Sequence, residues 1–455
     1  TGVYVALGAG PHRGTLSVGG GIHVGGGGTG TLRLEGGRIE EASGIHLAAG
    51  GVLRGYGDVP APVFNEGRIE PEGDYPLSFR GFVSGGGQIT IAGGANPRVA
   101  EFWAGAQLDG PVANDGILRA FGDTPFEIRG GVSGAGEVMV SGNARVLAPV
   151  QAGRVMLTGT ADIAADVTAP DVSVSGAVRH SAGTVLADMF TMGWGLYEMT
   201  GTAQVQSGET QVRGEFEQYG GAHVAGILRI GARDEYGWGA FGSYTVSGGR
   251  LDVGQLRIGA PGEMGEWFPL DPVAGTFTVD RASARIVVTE KLMIAELGVF
   301  QALPGTVVRM TGSAFENESQ TPENLAELRF VTMIFEGGAD ALDPFEVAGQ
   351  DRGAVMAGYA DNFALGTLRI GGDDIGRVQL MDHVINQPGN AALYVNNLHV
   401  TAGSELNLNG FTLYYLNARI APDAVVANGT LQLTEPTGGM TAAAPPGHDV
   451  TITRD

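Results

Sequence analysis

The chain contains no cysteine and a single lysine, Lys291, in 455 residues. Without cysteine there are no disulfides, no thiolate nucleophile and no cysteine-ligated metal, so packing and backbone hydrogen bonds must supply the stability. One lysine also rules out a ladder of lysine-to-asparagine crosslinks. The 26 arginines that make up the rest of the basic residues are scattered, and the formal net charge is −22. Nucleic acid needs a clustered basic surface, so it is excluded as an expected partner, and an anionic membrane surface would repel the chain. No run of 18 apolar residues occurs, which leaves no segment suited to span a bilayer as a helix.

What the chain has in excess is glycine, 78 of 455 residues or about 17%, against roughly 7% in ordinary globular chains. There is no every-third-residue period, so this is not collagen. Hydrophobic residues make up 43% of the chain, and they alternate with polar ones over short runs, which argues for strands and against disorder.

The glycines recur at fixed offsets. Pro62 to Gly93 reads PVFNEGRIEPEGDYPLSFRGFVSGGGQITIAG, and Pro111 to Gly142 reads PVANDGILRAFGDTPFEIRGGVSGAGEVMVSG; the two share 14 of 32 positions without a gap. Within each copy, runs such as Arg68-Ile69-Glu70, Leu77-Ser78-Phe79 and Gln88-Ile89-Thr90-Ile91 are bounded by Gly, Pro or Asp. Alternation turns Ile69, Leu77, Phe79, Val83, Ile89 and Ile91 inward, and Leu118, Phe126, Ile128, Val132, Val138 and Val140 repeat the pattern. FEQYGGAHVAGILRIGA and YTVSGGRLDVGQLRIGA align at an offset of 28, and GIHVG and GIHLA at 23. Spacings of 23, 28 and 49, the last read as two coils, predict an all-β fold: a right-handed parallel β-helix with three short strands per turn and roughly 15 to 18 turns. Asn65 and Asn114 are expected at corresponding corners.

The organisation expected is a β-helix with irregular coils over 1–310, a less regular continuation over 311–390, further coils over 391–434, and a linker with a terminal strand over 435–455. Thr321-Pro322-Glu323 reads as a helix start, giving a short helix near 321–328 that leads into the strand LRFVTMIF.

The stretch NFALGTLRIGGDDIGRVQLMDHVINQPGNAALYVNNLHVTAGSELNLNGFTLYY, preceded by FEVAGQDRGAVMAGYADN, resembles the C-terminal region of large exported β-helix proteins of planctomycete bacteria. YTVSGGRLDVGQLRIG is similar to their repeat, which is grouped with autotransporter-associated strand repeats and PEP-CTERM-like surface proteins. This resemblance implies an exported protein of the bacterial cell surface and brings no catalytic residues with it. A chain numbered from Thr1 fits the same expectation, that of a mature protein whose export signal has been removed.

Chemistry is sparsely signalled. Eight histidines occur singly, with no HExxH and no triad-like setting. His23 and His46 share one context and are expected on a solvated strand face of adjacent coils. The acidic pairs Asp373-Asp374 and Asp234-Glu235 lie in loops, where neighbouring side chains diverge, so a carboxylate pair for glycoside hydrolysis is not expected. No cofactor is expected. Calcium is the one metal that the acidic loops would suit, although no EF-hand or nonapeptide array occurs.

Three tryptophans fall in similar places: Trp194 between FTMG and YEM, Trp238 and Trp267 each between LRIG and the next strand. With Tyr236, Phe241 and Phe268 they form the candidate binding or interface cluster, placed on loops at one corner of the coils. The alternating ends of the chain, Val3, Val5 and Leu7 at one and Val450 and Ile452 at the other, are the candidate strand-addition interface. The function expected is an exported structural protein of the cell surface or extracellular matrix that self-associates into a filament or layer. A monomeric adhesin or glycan-binding rod is the alternative, and a polysaccharide-degrading enzyme the third.

Overall fold

A computed structural model of the chain describes residues 4–7, 14–41, 43–233, 237–264, 269–338 and 341–435. About 59% of the chain is strand and 3% helix, wound as a parallel β-solenoid of about 20 turns. It divides into two compact units, Thr1–Gly208 and Glu209–Asp455.

In the first unit each turn has three faces. Val63–Asn65, Arg68–Pro71 and Leu77–Phe79 form one turn, and Val83–Gly85, Gln88–Ile91 and Val99–Phe102 the next. The turns stack parallel and in register: Val63 on Val83, Ile69 on Ile89, Leu77 on Ala100. Every apolar residue that the alternation turned inward is buried, from Ile69 and Leu77 through Val138 and Val140. Burial of each such side chain contributes about 1.5–3 kcal/mol.

The repeat of 49 residues is not two coils. Two turns carry Val63 through Val83 to Ala106. The second copy begins one face further on, because Val112 stacks on Ile89 and Ile69 and not on Val63. The same building part has therefore been used on successive faces. Asn65 and Asn114 therefore do not share the corner expected for them: Asn65, stacked on Leu47, closes the first face and Asn114, stacked on Ile91, closes the second. The Asn65 side chain accepts from the Gly67 amide at 3.1 Å and donates to the Gln88 carbonyl of the next turn, and Asn114 donates to the Glu137 carbonyl at 2.9 Å. A three-faced coil with similar corners tolerates this rotation.

The turns are also tighter than the 23 and 28 spacings suggest, which is why about 20 of them fit where 15 to 18 were expected. Val138 stacks on Val155 and Val155 on Val172, 17 residues per turn. Glycine allows this contraction. Gly142, Gly159 and Gly176 stack on one another at positive φ of 134°, 110° and 99°, turning the chain with no loop.

The second unit keeps the same grammar with longer turns. The offset of 28 is a single turn here, since Phe216 stacks on Tyr244, followed by Phe277 and Phe300 in one inward aromatic column. Insertions interrupt it where regularity fails in the sequence. Pro322–Phe330 is a 3-10 helix, so Leu328, Arg329 and Phe330 belong to it and the expected strand starts only at Thr332. Segment 347–364, which includes the 3-10 turn Met356–Tyr359, covers the outer face of Tyr394 and Tyr414. Arg352 braces the segment internally by donating to the carbonyls of Ala357, Ala360 and Asp361, and the Tyr394 and Tyr414 hydroxyls fasten it by donating to the Gly353 carbonyl and the Asp351 carboxylate.

Candidate functional site

The expected aromatic cluster is only partly in view. Trp194 stands at a corner inside the strand Thr184–Met199 of the first unit, 73% exposed. Trp238 occupies a short hairpin of the second unit, closed by antiparallel pairing of Ala232–Arg233 with Gly239–Ala240, and is 76% exposed, with Phe241 also exposed beyond it. Tyr236, Trp267 and Phe268 lie outside the described residues. A second hairpin, Glu263–Met264 with Pro269–Leu270, follows. Arg233 fastens the first hairpin to it by donating to the carbonyls of Pro261 and Asp271.

The fourth tryptophan, Trp103, falls outside that sequence pattern but has an aromatic partner of its own. Its ring stacks on Phe121 with centroids 4.5 Å apart, and Arg80 lies over it at 5.2 Å. A sequence signal for the pair exists: Trp103 and Phe121 each directly follow an inward-facing residue, Phe102 and Ala120, which stack one turn apart.

Of the candidate strand-addition residues, Val5 and Leu7 lie in Tyr4–Leu7, whose backbone pairs with Thr31–Leu34 of the same chain. Val3, Val450 and Ile452 lie outside the described residues. At the far end of the second unit, Val425–Ala427 and Thr430–Leu433 each pair on one side only among the described residues. Ala418 stacks on fully buried Leu398 yet is itself exposed, and Val425 and Leu433 are 47% and 46% exposed.

The histidines resolve into two kinds. His23 stacks on His46 across one turn, with rings 5.4 Å apart, and His46 reaches Glu66 at 3.2 Å; both are surface residues, as expected. His180 and His223 are completely buried. His180 donates through Nε2 to the Gly183 carbonyl, leaving Nδ1 to accept from the Tyr197 hydroxyl at 2.8 Å. His223 sits in a directed chain: Thr210 donates to its Nε2, its Nδ1 donates to Tyr244, Tyr244 donates to Gln218, and Gln218 donates to the Arg250 carbonyl. Burial pushes His180 down to about 4 and His223 to about 3, so both rings are neutral.

Of the two acidic pairs singled out in the sequence, one lies among the described residues. Asp373 holds Arg309 at 3.1 Å while Asp374 accepts from the Ile375 amide; Asp234 and Glu235 lie outside the described residues. Glu346 accepts from the backbone amides of His383 and Val384. Among the described residues no three His, Asp or Glu side chains converge where they could hold a metal ion.

Outward charges form columns, because in-register stacking puts equivalent positions directly above one another at ~4.8 Å. On one face of the first unit the column reads Glu127, Arg145, Asp162, Arg179, Glu198, alternating in sign over five turns. A groove of about 260 Å³ runs beside it, lined by Asn143, Thr160, Ala177 and Leu196 together with the last charges of the column. In the second unit Arg369, His399 and Arg419 stack in the same way, flanked by Thr367, Asn397 and Asn417. Burial, then Arg369 and Arg419, push the His399 imidazole below its usual range.

No protein-family model, curated protein or solved structure is found to match the chain.

Proposed function

We propose that the chain is an exported structural protein of a bacterial surface or extracellular matrix that joins copies of itself end to end. The open last turn carries this reading. Ala418 and Leu433 leave inward columns exposed at backbone that pairs on one side only among the described residues, and Val425 adds an exposed apolar side chain on the outer face of the same turn. An unpaired strand edge with apolar side chains is a template for another chain. A contact between two different ends of identical molecules does not close, and so propagates as a filament.

A core of stacked aliphatic and aromatic columns, with no convergent catalytic group among the described residues, suits a load-bearing part. The test is negative-stain microscopy with sedimentation across a concentration series, with and without calcium. Filaments that disappear in Ala418→Asp and Leu433→Asp variants support the proposal. Discrete single-chain particles at every concentration overturn it.

A further inference from the structure

Arginine stacks directly on arginine at three places in the described chain, and each time a carboxylate is drawn in. Arg33 and Arg54 share Glu72, with Glu35 and Glu70 alongside. Arg229 and Arg257 stack beside Glu209, which holds Arg229 at 2.7 Å. Arg250 and Arg285 have Asp252, paired to Arg250. Like charges directly opposed between strands repel, and a chain with 49 acidic residues has relieved that repulsion from its own sequence.

The column Arg369, His399, Arg419 is different. Among the described residues no carboxylate lies within ion-pair distance of any of the three. The charges that act on His399 are the two arginines alone. The column faces outward, since Leu368, Ile370, Leu398 and Val400 on either side of it point into the core. Arg369 is held in place by donating through Nε to the Gly371 carbonyl, and Arg419 is exposed on the last turn. Beside the cations runs a row of neutral hydrogen-bonding groups, in which Asn417 donates to Asn397 and Asn397 to Thr367.

We propose that this column is a binding site for a linear polysaccharide that carries carboxylates. Arg369 and Arg419, two turns apart, would take carboxylates two rings apart by charge-assisted hydrogen bonds, and the Thr367, Asn397 and Asn417 row would take ring hydroxyls. The turn spacing is of the same order as the rise of one sugar ring in an extended chain. The acidic remainder of the surface confines a polyanion to this strip and keeps it from spreading.

Calorimetric titration of the full chain at low salt with a polygalacturonate fragment tests the site, with the fully methyl-esterified fragment, inorganic sulfate and single-stranded nucleic acid as separate arms. The acid form binds and shifts the His399 ring resonances, whereas the ester, the sulfate and the nucleic acid bind about tenfold more weakly or not at all. Arg369→Gln and Arg419→Gln together weaken binding by about tenfold or more, and Arg179→Gln in the first unit leaves it unchanged. Equal binding of the ester, of sulfate alone or of nucleic acid overturns the proposal, as does wild-type affinity in the double variant.

Discussion

The hydroxyl of Tyr197 lies 2.8 Å from Nδ1 of His180 in the interior of the first unit, and both side chains are fully buried. The second unit repeats the pair with His223 and Tyr244, also at 2.8 Å. Such a polar pair, bridging columns otherwise made of apolar side chains (Ile163 and Met199 on either side of His180, Val178 beneath Tyr197), is tolerated because each donor meets an acceptor. Tyr197→Phe removes the hydroxyl proton offered to His180 Nδ1 while leaving the ring in place. The expected cost is about 1–3 kcal/mol in denaturant unfolding. Unchanged stability would show that the pair is not hydrogen-bonded as described.

The same histidines give the fold an acid limit. Each has a folded pKa below that of a free imidazole, so the unfolded chain binds protons that the folded chain refuses. Their contribution is complete above pH 6.5 and is lost as the pH falls toward about 4 for His180 and about 3 for His223. Stability measured between pH 7 and 4 should fall by a few kcal/mol. A His180→Gln and His223→Gln double variant should show a flatter dependence over that range, whatever its absolute stability. A wild-type curve that is flat between pH 7 and 4 would contradict neutral buried rings.

The fold was legible in the sequence because parallel stacking converts three-dimensional neighbours into sequence repeats: Phe216 sits on Tyr244 and His23 on His46 at the offsets read from the glycines. The 49-residue offset misled because similar corners let one motif reappear a face later, and a sequence alignment does not record which face it is on. Surface features were less legible. Arg369, His399 and Arg419 are separated by 30 and 20 residues, with an insertion between the first two, so nothing local marks them as a column. Along the column from Glu127 to Glu198 the outward charges are paired by sign from turn to turn. That constraint acts between turns and leaves no short-range pattern.

Stacked corner glycines make a sharper prediction. A Cβ on Gly159 would overlap the carbonyl oxygen of Gly142 beneath it, and its φ of 110° is one that side chains rarely adopt. Gly86 meets nothing within 4 Å. Gly159→Ala should cost more than about 2 kcal/mol, whereas Gly86→Ala should stay within about 0.5 kcal/mol. Comparable effects at the two sites, read from thermal unfolding of each variant, would mean that the tight 17-residue turns do not depend on that corner.

The alternating column is tested by reversing its charges. Burial pushes the Glu127 carboxyl up, but hydrogen bonds from Arg145 and Arg129, with their charges, more than offset this and hold it below the usual carboxylate range. Arg145 donates to Glu127 at 2.7 Å and also faces Asp162 at 3.9 Å. Arg145→Glu sets three carboxylates in a row and should cost about 1–3 kcal/mol, an effect that shrinks as salt is raised. Adding Glu127→Arg restores one opposed pair and returns part of that loss, which a double-mutant cycle reads as a coupling of about 0.5–2 kcal/mol. If the two substitutions were simply additive, the column would be an accident of stacking, with no part in setting which turn lies against which.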